Sequence, residues 1–206
     1  MLKLFKYFCA VFLLFACDFD LMEETSYAIF IVAGQSNTNQ GLGLDEIKDK
    51  AEEGIFQLGR VGIYDRMIIT AQEPLQHHTA RKNRIGFALT FSKLYRSFTE
   101  RKNPVLIIPC GFGGTSIHKW STDGFLYKDM VDRTRLVLET YPQSTIKAVL
   151  WHQGEADVGK DDYAQKLDAL IRNIRKDLND DIPFVLGGMV PYWVAQNSDR
   201  IRQQEI

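Results

Sequence analysis

Three short segments of the chain combine residue types that suit the hydrolysis of an ester. Residues 34–37 (GQSN) place the Ser36 hydroxyl, a potential nucleophile, on a turn next to glycine. Residues 111–116 (GFGGTS) are rich in glycine, so their backbone N–H groups could approach and stabilise an oxyanion. Residues 151–157 (WHQGEAD) contain the Gln153 amide, which could donate to the same oxyanion. Each segment alone is typical of an ordinary turn or loop.

Each segment also lies at the end of a hydrophobic run that predicts a buried strand. Strands are expected at 27–33, 105–108, 146–151 and 183–186, and helices at 86–101, 125–140 and 161–178. This alternation predicts a three-layer α/β/α fold with a mainly parallel sheet. Because ligands bind outside the carboxyl ends of the strands in such sheets, the three segments should meet at one edge.

The first predicted helix carries an apolar stripe that should face the sheet. The stripe consists of Phe87, Phe91, Leu94, Tyr95 and Phe98. Residues 38–84, in contrast, are mostly polar, with short apolar pieces at 61–63 and 67–69. This pattern predicts a long irregular excursion that carries part of a substrate site.

Length and charge are those of an ordinary globular domain. The 206 residues suit one domain, and 25 basic against 26 acidic residues give a net charge of −1. This balance gives no support to a nucleic-acid partner. Only Cys110, of three cysteines, lies within the domain, so no internal disulfide is expected. No Cys/His cluster has the spacing of a zinc site, and neither a metal nor another cofactor is expected.

The N-terminus has the pattern of an export signal. Lys3 and Lys6 precede an uncharged apolar run at residues 7–16, which is too short to span a bilayer. The run ends in LFAC at residues 14–17, which resembles a bacterial lipobox with Cys17 as the lipidated residue. A signal peptide without lipidation and an uncleaved hydrophobic anchor are the alternatives.

This pattern divides the chain into a signal peptide at 1–17, a polar tether at 18–26 and one domain at 27–206. The expected location is the bacterial cell envelope, as a membrane-anchored lipoprotein or a periplasmic protein. Contact with a membrane is expected only through the lipid anchor or the signal segment.

Together, the three segments resemble the motifs of the sialate O-acetylesterase branch of the SGNH hydrolases. GQSN at 34–37, GGTS at 113–116 followed by Trp120, and WHQGExD at 151–157 match the family pattern in order, spacing and placement after strands. The similarity runs from about residue 28 to the C-terminus. The resemblance implies an esterase that removes acetyl groups from sugars through an acyl-enzyme, without a metal.

The resemblance also implies roles for individual residues. Ser36 would be the nucleophile. The oxyanion would be bound by the N–H groups of Ser36 and Gly113 and by the side chain of Gln153. Gly114 would replace Gly113 if the register of the loop differs by one residue.

Further residues would support this site. The resemblance implies that Glu155 orients the Gly-rich loop or Gln153, and Asn37 and Gly114 are expected to have supporting roles. The expected partner is an acetylated sugar or glycan.

The Asp-x-x-His motif that supplies the base near the C-terminus of the family is not in the sequence. The four histidines are His77, His78, His118 and His152, and no pattern directs any of them at Ser36. We therefore expect a domain that lacks its last strand and helix and is nearly inactive. An exposed sheet edge and an apolar patch would make such a domain associate.

Two other classes of protein are alternatives to an esterase. A catalytically inactive lipoprotein that binds glycans could use Trp120, Trp151 and Trp193 to stack on sugar rings, although large aromatic residues near such a sheet are more often core residues. A lipase or peptidase with a Gly-x-Ser-x-Gly nucleophile elbow is disfavoured, because Thr38 stands in place of the second glycine.

Overall fold

The computed structural model describes residues 25–100 and 103–206, which form one sheet flanked by helices. The strands are β1 (Ala28–Gly34), β2 (Ile55–Leu58), β3 (Ile68–Thr70), β4 (Val105–Pro109), β5 (Thr145–His152) and β6 (Phe184–Leu186). The helices are α1 (Ala88–Phe98), α2 (Phe125–Thr140), α3 (Tyr163–Leu178), α4 (Pro191–Val194) and α5 (Ser198–Gln204).

The six strands are ordered β3-β2-β4-β1-β5-β6, and every neighbouring pair is parallel except β2 with β3. Helices flank this mainly parallel sheet. The α/β fold class predicted from the sequence is therefore confirmed, and the four predicted strands and three predicted helices are all present.

The two faces of the sheet carry separate hydrophobic clusters. All seven residues of β1 are buried, because the strand is covered on both faces. On one face, α2 and α3 pack through residues such as Met130 and Ile174, which are fully buried. On the other face, Phe91 and Tyr95 of α1 contact the Phe30 ring edge to face, with centroids 5.0 and 4.8 Å away.

The excursion at 38–84 is more regular than the sequence predicts. It contains β2 and β3, which extend the sheet beyond β4. The prediction was wrong because β2 is only four residues long and interrupted by the polar Gln57. Its backbone is stabilised by pairing with β4, a partner distant in sequence that a local pattern does not reveal.

The apolar stripe of α1 faces the sheet only in part, because Phe87, Phe91 and Tyr95 pack against it and the other two residues do not. Leu94 and Phe98 are exposed, at 55% and 84% of their surface. The buried positions include Ser92 and Arg96, and the Arg96 guanidinium donates to the carbonyl of Glu53. The prediction was thus wrong for Leu94 and Phe98, whereas Ser92 and the hydrogen-bonded Arg96 are buried in addition to the aromatic residues.

The outer strand β6 forms one edge of the sheet. Val185 and Leu186 on this strand are half-exposed. Exposed apolar edges favour association between chains. The expected tendency to associate stays a prediction, and β6 is the surface through which we expect it to occur.

Cys110 is a free, fully buried thiol at the end of β4. Among the helices within residues 25–100 and 103–206, none is long and apolar enough to cross a membrane. The predictions for Cys17, the signal peptide and most of the tether lie outside the described residues.

Candidate active site

The three polar segments follow three adjacent strands of the sheet. β4, β1 and β5 are parallel neighbours, so their carboxyl ends open onto one edge. Backbone hydrogen bonds join the segments there. The Phe112 N–H donates to the carbonyl of Gly34 (3.0 Å), and the Gln35 N–H donates to the carbonyl of His152 (3.0 Å). The structure therefore brings together the segments that lie far apart in sequence, as predicted.

Ser36 begins a 3₁₀ turn directly after β1. Gly34 precedes it with φ of 129°, and a Cβ at this position would lie 2.3 Å from the carbonyl oxygen of His152. Only glycine lets the end of β1 pass this close to β5. In the described residues, neither the hydroxyl nor the N–H of half-buried Ser36 has a hydrogen-bond partner. Both groups are therefore available to a ligand.

Glu155 lies beside the Ser36 turn. Its Oε1 accepts a hydrogen bond from the Asn37 side-chain amide. Its Oε2 is buried and has no partner within the described part of the chain. The expectation that Glu155 orients the Gly-rich loop or Gln153 is corrected here, because its hydrogen bond stabilises the nucleophile turn instead.

The carboxylate that contacts the Gly-rich loop is Asp157, which is fully buried. It accepts hydrogen bonds from the Ser116 hydroxyl, the Ile117 N–H (2.8 Å), the Gln153 amide and the Lys160 ammonium (2.8 Å). Burial alone would raise the pKa of Asp157, but these hydrogen bonds outweigh burial and hold the pKa below its ordinary value. Asp157 is thus an anion that orders the end of the loop.

Sequence reasoning assigned Asp157 no role, although it is the last residue of the third motif. A pattern in the sequence could have indicated this role: Asp157 lies in the turn after a buried strand, four positions after Gln153 and three positions before Lys160. Such a carboxylate needs several donors when it is buried.

Gln153 uses both of its side-chain N–H groups within the protein. One donates to the carbonyl of Thr115 (3.1 Å), and the other donates to Asp157. Gln153 therefore connects the loop after β5 to the Gly-rich loop. To donate to an oxyanion it would have to exchange one of these bonds, so its donor role stays a prediction.

The two glycines proposed as oxyanion donors differ in their surroundings. The Gly113 N–H donates to Thr79 Oγ1 at 2.7 Å. Gly114 is exposed, with φ of 73°, and its N–H has no partner among residues 25–100 and 103–206. Of these two N–H groups, the one available to a ligand is therefore that of Gly114, the alternative that the sequence left open.

A cleft of about 330 Å³ opens beside Ser36. Asn37 and Glu155 form one wall, and Tyr192 and Trp193 from α4 lie on the other. Tyr192 is largely exposed, so an aromatic surface is available to a ligand next to the nucleophile.

The three tryptophans have different environments. Trp120 and Trp151 are buried in the core, where their rings meet edge to face with centroids 5.1 Å apart. Only Trp193 lines the cleft. Of the three tryptophans, two are therefore core residues, which is the more common of the two roles that the sequence left open, and only Trp193 remains a candidate for sugar stacking.

The four histidines all contact groups other than Ser36. Their polar partners are the Gly111 N–H for His77, the Asp129 carboxylate for His78, Lys166 and Asp162 for His118, and the Gly188 carbonyl for His152. Within the described ranges, no histidine is hydrogen-bonded to the Ser36 hydroxyl. This geometry agrees with the sequence, which directs none of them at the nucleophile.

Comparison with known protein families gives one match that covers most of the chain. Residues 26–205 match the family described as carbohydrate esterase, sialic acid-specific acetylesterase. The segments around Ser36, Gly114 and Gln153 all lie inside the matched region.

Individual relatives agree with this match. A probable carbohydrate esterase of Arabidopsis thaliana is 36% identical over 116 residues, which cover 53% of this chain and 44% of that protein. A probable 9-O-acetyl-N-acetylneuraminic acid deacetylase of Escherichia coli K12 is 27% identical over 228 aligned positions, covering 84% of this chain and 70% of that protein. The chain thus aligns with less than half the length of the plant relative.

Two solved structures are similar in fold. The crystal structure of NanS superposes with a TM-score of 0.74 at 25% identity, covering 87% of this chain and 72% of that chain. The X-ray structure of the Arabidopsis thaliana protein gives a TM-score of 0.69 at 29% identity, covering 78% and 73%.

Proposed function

The chain belongs to the sialic acid-specific acetylesterase family of carbohydrate esterases, and on this premise we propose that it removes O-acetyl groups from carbohydrates through an acyl-enzyme on Ser36. The observation that carries the proposal is that the Ser36 hydroxyl and N–H, at the edge where the three motif-bearing loops meet, have no partner in the described part of the chain. A hydroxyl that lies beside available backbone donors is the arrangement that acyl transfer requires.

The reaction proceeds in two steps. Ser36 Oγ attacks the acetyl carbonyl carbon, a base removes the hydroxyl proton, and the carbonyl oxygen becomes an oxyanion near the N–H groups of Ser36 and Gly114. The C–O bond to the sugar then breaks, and the sugar oxygen takes up a proton. Water attacks the acetyl-Ser36 ester in the same manner and releases acetate.

The cleft supports a sugar as the group that carries the acetyl ester. Tyr192 and Trp193 offer aromatic surface against which the C–H face of a sugar ring can pack. Family membership and the name of the Escherichia coli relative point to an O-acetylated sialic acid as the substrate class.

The site has no evident base for Ser36 among the described residues. None of the four histidines contacts the Ser36 hydroxyl in the described residues, and removal of the base of a serine hydrolase costs up to about 10⁶ in turnover. These 206 residues by themselves are therefore expected to turn over slowly.

External imidazole tests both parts of the proposal. Acetate release from p-nitrophenyl acetate and from O-acetylated sialic acid is measured with and without imidazole, which can act as a diffusible base. The wild-type chain should show a small activity that imidazole raises, after subtraction of the reaction seen with Ser36→Ala. Ser97→Ala, which removes an exposed hydroxyl on α1, is the matched control and should behave as wild type.

Two results would contradict the proposal. Equal activity of the wild type and Ser36→Ala would remove Ser36 from the mechanism. An ordinary enzymatic rate without imidazole would show that the site already contains its base.

A catalytically inactive glycan-binding lipoprotein is the second candidate. It is favoured by the same cleft, in which aromatic residues line a site whose serine has no basic partner within the described residues. Binding of acetylated and de-acetylated sialic acid to the wild-type chain, measured alongside acetate release, distinguishes the two. A pure binding protein would hold the sugar tightly and release no more acetate than Ser36→Ala with imidazole present.

Export and lipidation belong to the same proposal, on the basis of the apolar run at 7–16 and Cys17. Incorporation of labelled palmitate into the full-length chain, and its loss in Cys17→Ser, would support them. An unlabelled protein that remains in the soluble cytoplasmic fraction would contradict them.

A further inference from the structure

The segment at residues 77–79 holds the Gly-rich loop by its backbone. His77 Nδ1 accepts from the Gly111 N–H (2.8 Å), and Thr79 Oγ1 accepts from the Gly113 N–H (2.7 Å). The His78 N–H donates to the carbonyl of Gly111 (3.1 Å). Alternate N–H groups of the loop are thus bound from one side.

This pattern determines which donor stays available. The N–H groups of Gly111 and Gly113 are used for support, whereas that of Gly114 is exposed and unpaired in the described chain. A Cβ on Gly111 would lie 1.9 Å from Thr38 Oγ1 and 2.9 Å from His77 Nδ1, so the loop fits closely between the nucleophile turn and the 77–79 segment.

The supporting segment is itself anchored from two sides. The Gln76 N–H donates to Gln57 Oε1 on β2 (2.8 Å). His78 Nε2 lies 3.1 Å from the Asp129 carboxylate on α2, which also accepts from Arg60 Nη1 (2.7 Å). Anchored in this way, the segment can transmit the position of the sheet and α2 to the loop.

The protonation of His77 agrees with this role. Since Nδ1 accepts from the Gly111 N–H, the imidazole must be the neutral tautomer that carries its proton on Nε2. The side chain is buried, and burial lowers the pKa of His77 to about 3, with the Arg60 and His78 charges acting in the same direction. His77 Nδ1 is therefore available as an acceptor at pH values well above 3.

We propose that Thr79 and His77 are positioning residues of the esterase site, which hold Gly113 and Gly111 so that the Gly114 N–H, together with that of Ser36, faces the oxyanion. This inference rests on the proposed function. Neither side chain contacts the reacting atoms, so both act through the loop.

Thr79 offers an isosteric test. Thr79→Val keeps the shape but removes the acceptor, and Thr79→Ser keeps the acceptor. Turnover of p-nitrophenyl acetate, measured with imidazole present, should fall roughly ten-fold in T79V with KM changed less than two-fold, because a misplaced donor weakens mainly the transition state. T79S should restore most of the loss. Thr140→Val, on the exposed end of α2, is the matched control.

His77 offers a second pair. His77→Asn can place an oxygen near the position of Nδ1 and so keep an acceptor for the Gly111 N–H, whereas His77→Leu cannot. H77N should retain more turnover than H77L. A T79V variant with wild-type turnover, or a loss confined to KM, would overturn the proposal.

Amide hydrogen exchange separates this inference from the proposed function. The Gly113 amide should exchange at least several-fold faster in T79V than in the wild type and T79S, whether or not the chain hydrolyses esters. If the wild type shows no Ser36-dependent turnover, the esterase proposal fails, and the exchange rates still decide whether Thr79 holds the loop. Equal exchange of Gly113 in all three proteins would overturn the positioning role.

Discussion

Two carboxylates support the Gly-rich loop, the fully buried Asp157 and the largely buried Asp129, and they do so in different ways. The Asp157 cluster, consisting of Asp157 with Ser116, Ile117, Gln153 and Lys160, contacts the loop directly through mostly neutral donors. The Asp129 cluster consists of Asp129 with Arg60, Arg133 and His78. It supports the loop indirectly, because it anchors the 77–79 segment, which in turn binds the loop.

Two of the partners of Asp129 are cationic guanidinium groups. Its carboxylate accepts from Arg60 (2.7 Å) and Arg133 (2.9 Å) and lies 3.1 Å from His78. Burial opposes ionisation of Asp129, but the hydrogen bonds from His78 and Arg60 hold its pKa well below the ordinary value. We therefore expect the Asp129 cluster to contribute mainly to the stability of the fold that carries the loop, and the Asp157 cluster to determine mainly the local geometry of the loop.

Removal of Asp129 should give the largest effect. Asp129→Ala leaves two buried guanidinium groups without their shared carboxylate, and such a loss typically costs about 3–5 kcal/mol of unfolding free energy. Urea unfolding measures it. Asp168→Ala, which breaks an exposed pair with Arg172, is the control and should cost under about 0.5 kcal/mol. A D129A variant as stable as D168A would contradict the role assigned to the cluster.

Gln153→Ala should give the next largest effect, on turnover. The variant loses the bonds to Thr115 and Asp157 and any bond to the oxyanion, so turnover should fall by about 10²–10³ with little change in KM. Gln143→Ala, on an exposed turn, is the control. A change confined to KM would instead make Gln153 a substrate-binding residue.

Asp157→Asn sharpens the comparison directly. The substitution keeps the shape but turns an NH₂ group toward donors such as the Ile117 N–H, which should cost about 1–3 kcal/mol of stability. Turnover should fall by roughly ten-fold or more because the loop is disordered at the site. If D157N lowered stability as much as D129A and left turnover unchanged, the two clusters would not differ in kind.

The smallest effect is expected from pH and concerns His77. Its pKa is about 3 in the folded chain and about 6.5 when unfolded, so the unfolded state takes up the proton first as pH falls. The contribution is therefore complete above pH 6.5 and is lost between 6.5 and 3, by at most about 1.4 kcal/mol per pH unit. Urea unfolding at pH 7 and pH 5 measures it.

The variant His77→Asn should reduce this dependence on pH. Gln143→Ala, at an exposed position without a titratable side chain, is the control and should leave the dependence unchanged. The Asp129 and Asp157 carboxylates, whose pKa values are lowered, lose their contributions only at more acidic pH. An equal slope for H77N and the wild type would show that His77 does not bind its loop as a neutral imidazole.

The sequence predicted the parts of this fold that are set by local pattern. The continuous apolar run of β1 and the helical spacing of Leu167, Leu170 and Ile174 on α3 required no knowledge of distant partners. The strand β2 was missed because its stability comes from pairing with β4. Leu94 and Phe98 of α1 were wrongly predicted to be buried, and the burial of Arg96 was missed because spacing alone does not indicate its hydrogen bond to Glu53.

The site divides in the same way. The position of Ser36 and the meeting of the three loops follow from strand order in a parallel sheet. The partners of Glu155 and Asp157 were not predictable, because two acidic residues two positions apart point to different loops. The role of Thr79 depends on a contact across 34 residues of sequence, which no motif marks.

The contrast between the core pair Trp120–Trp151 and the cleft residue Trp193 has a spectroscopic consequence. The two core indoles should emit at short wavelength and report on global unfolding, since both are almost fully shielded from water. Trp193 lies under the Arg200 guanidinium, 3.8 Å from the ring centroid, and its emission should respond to a sugar that enters the cleft. Excitation at a wavelength that tryptophan absorbs and tyrosine does not therefore monitors two regions of one molecule. Trp193→Phe should abolish the response of the emission to ligand and leave its response to unfolding.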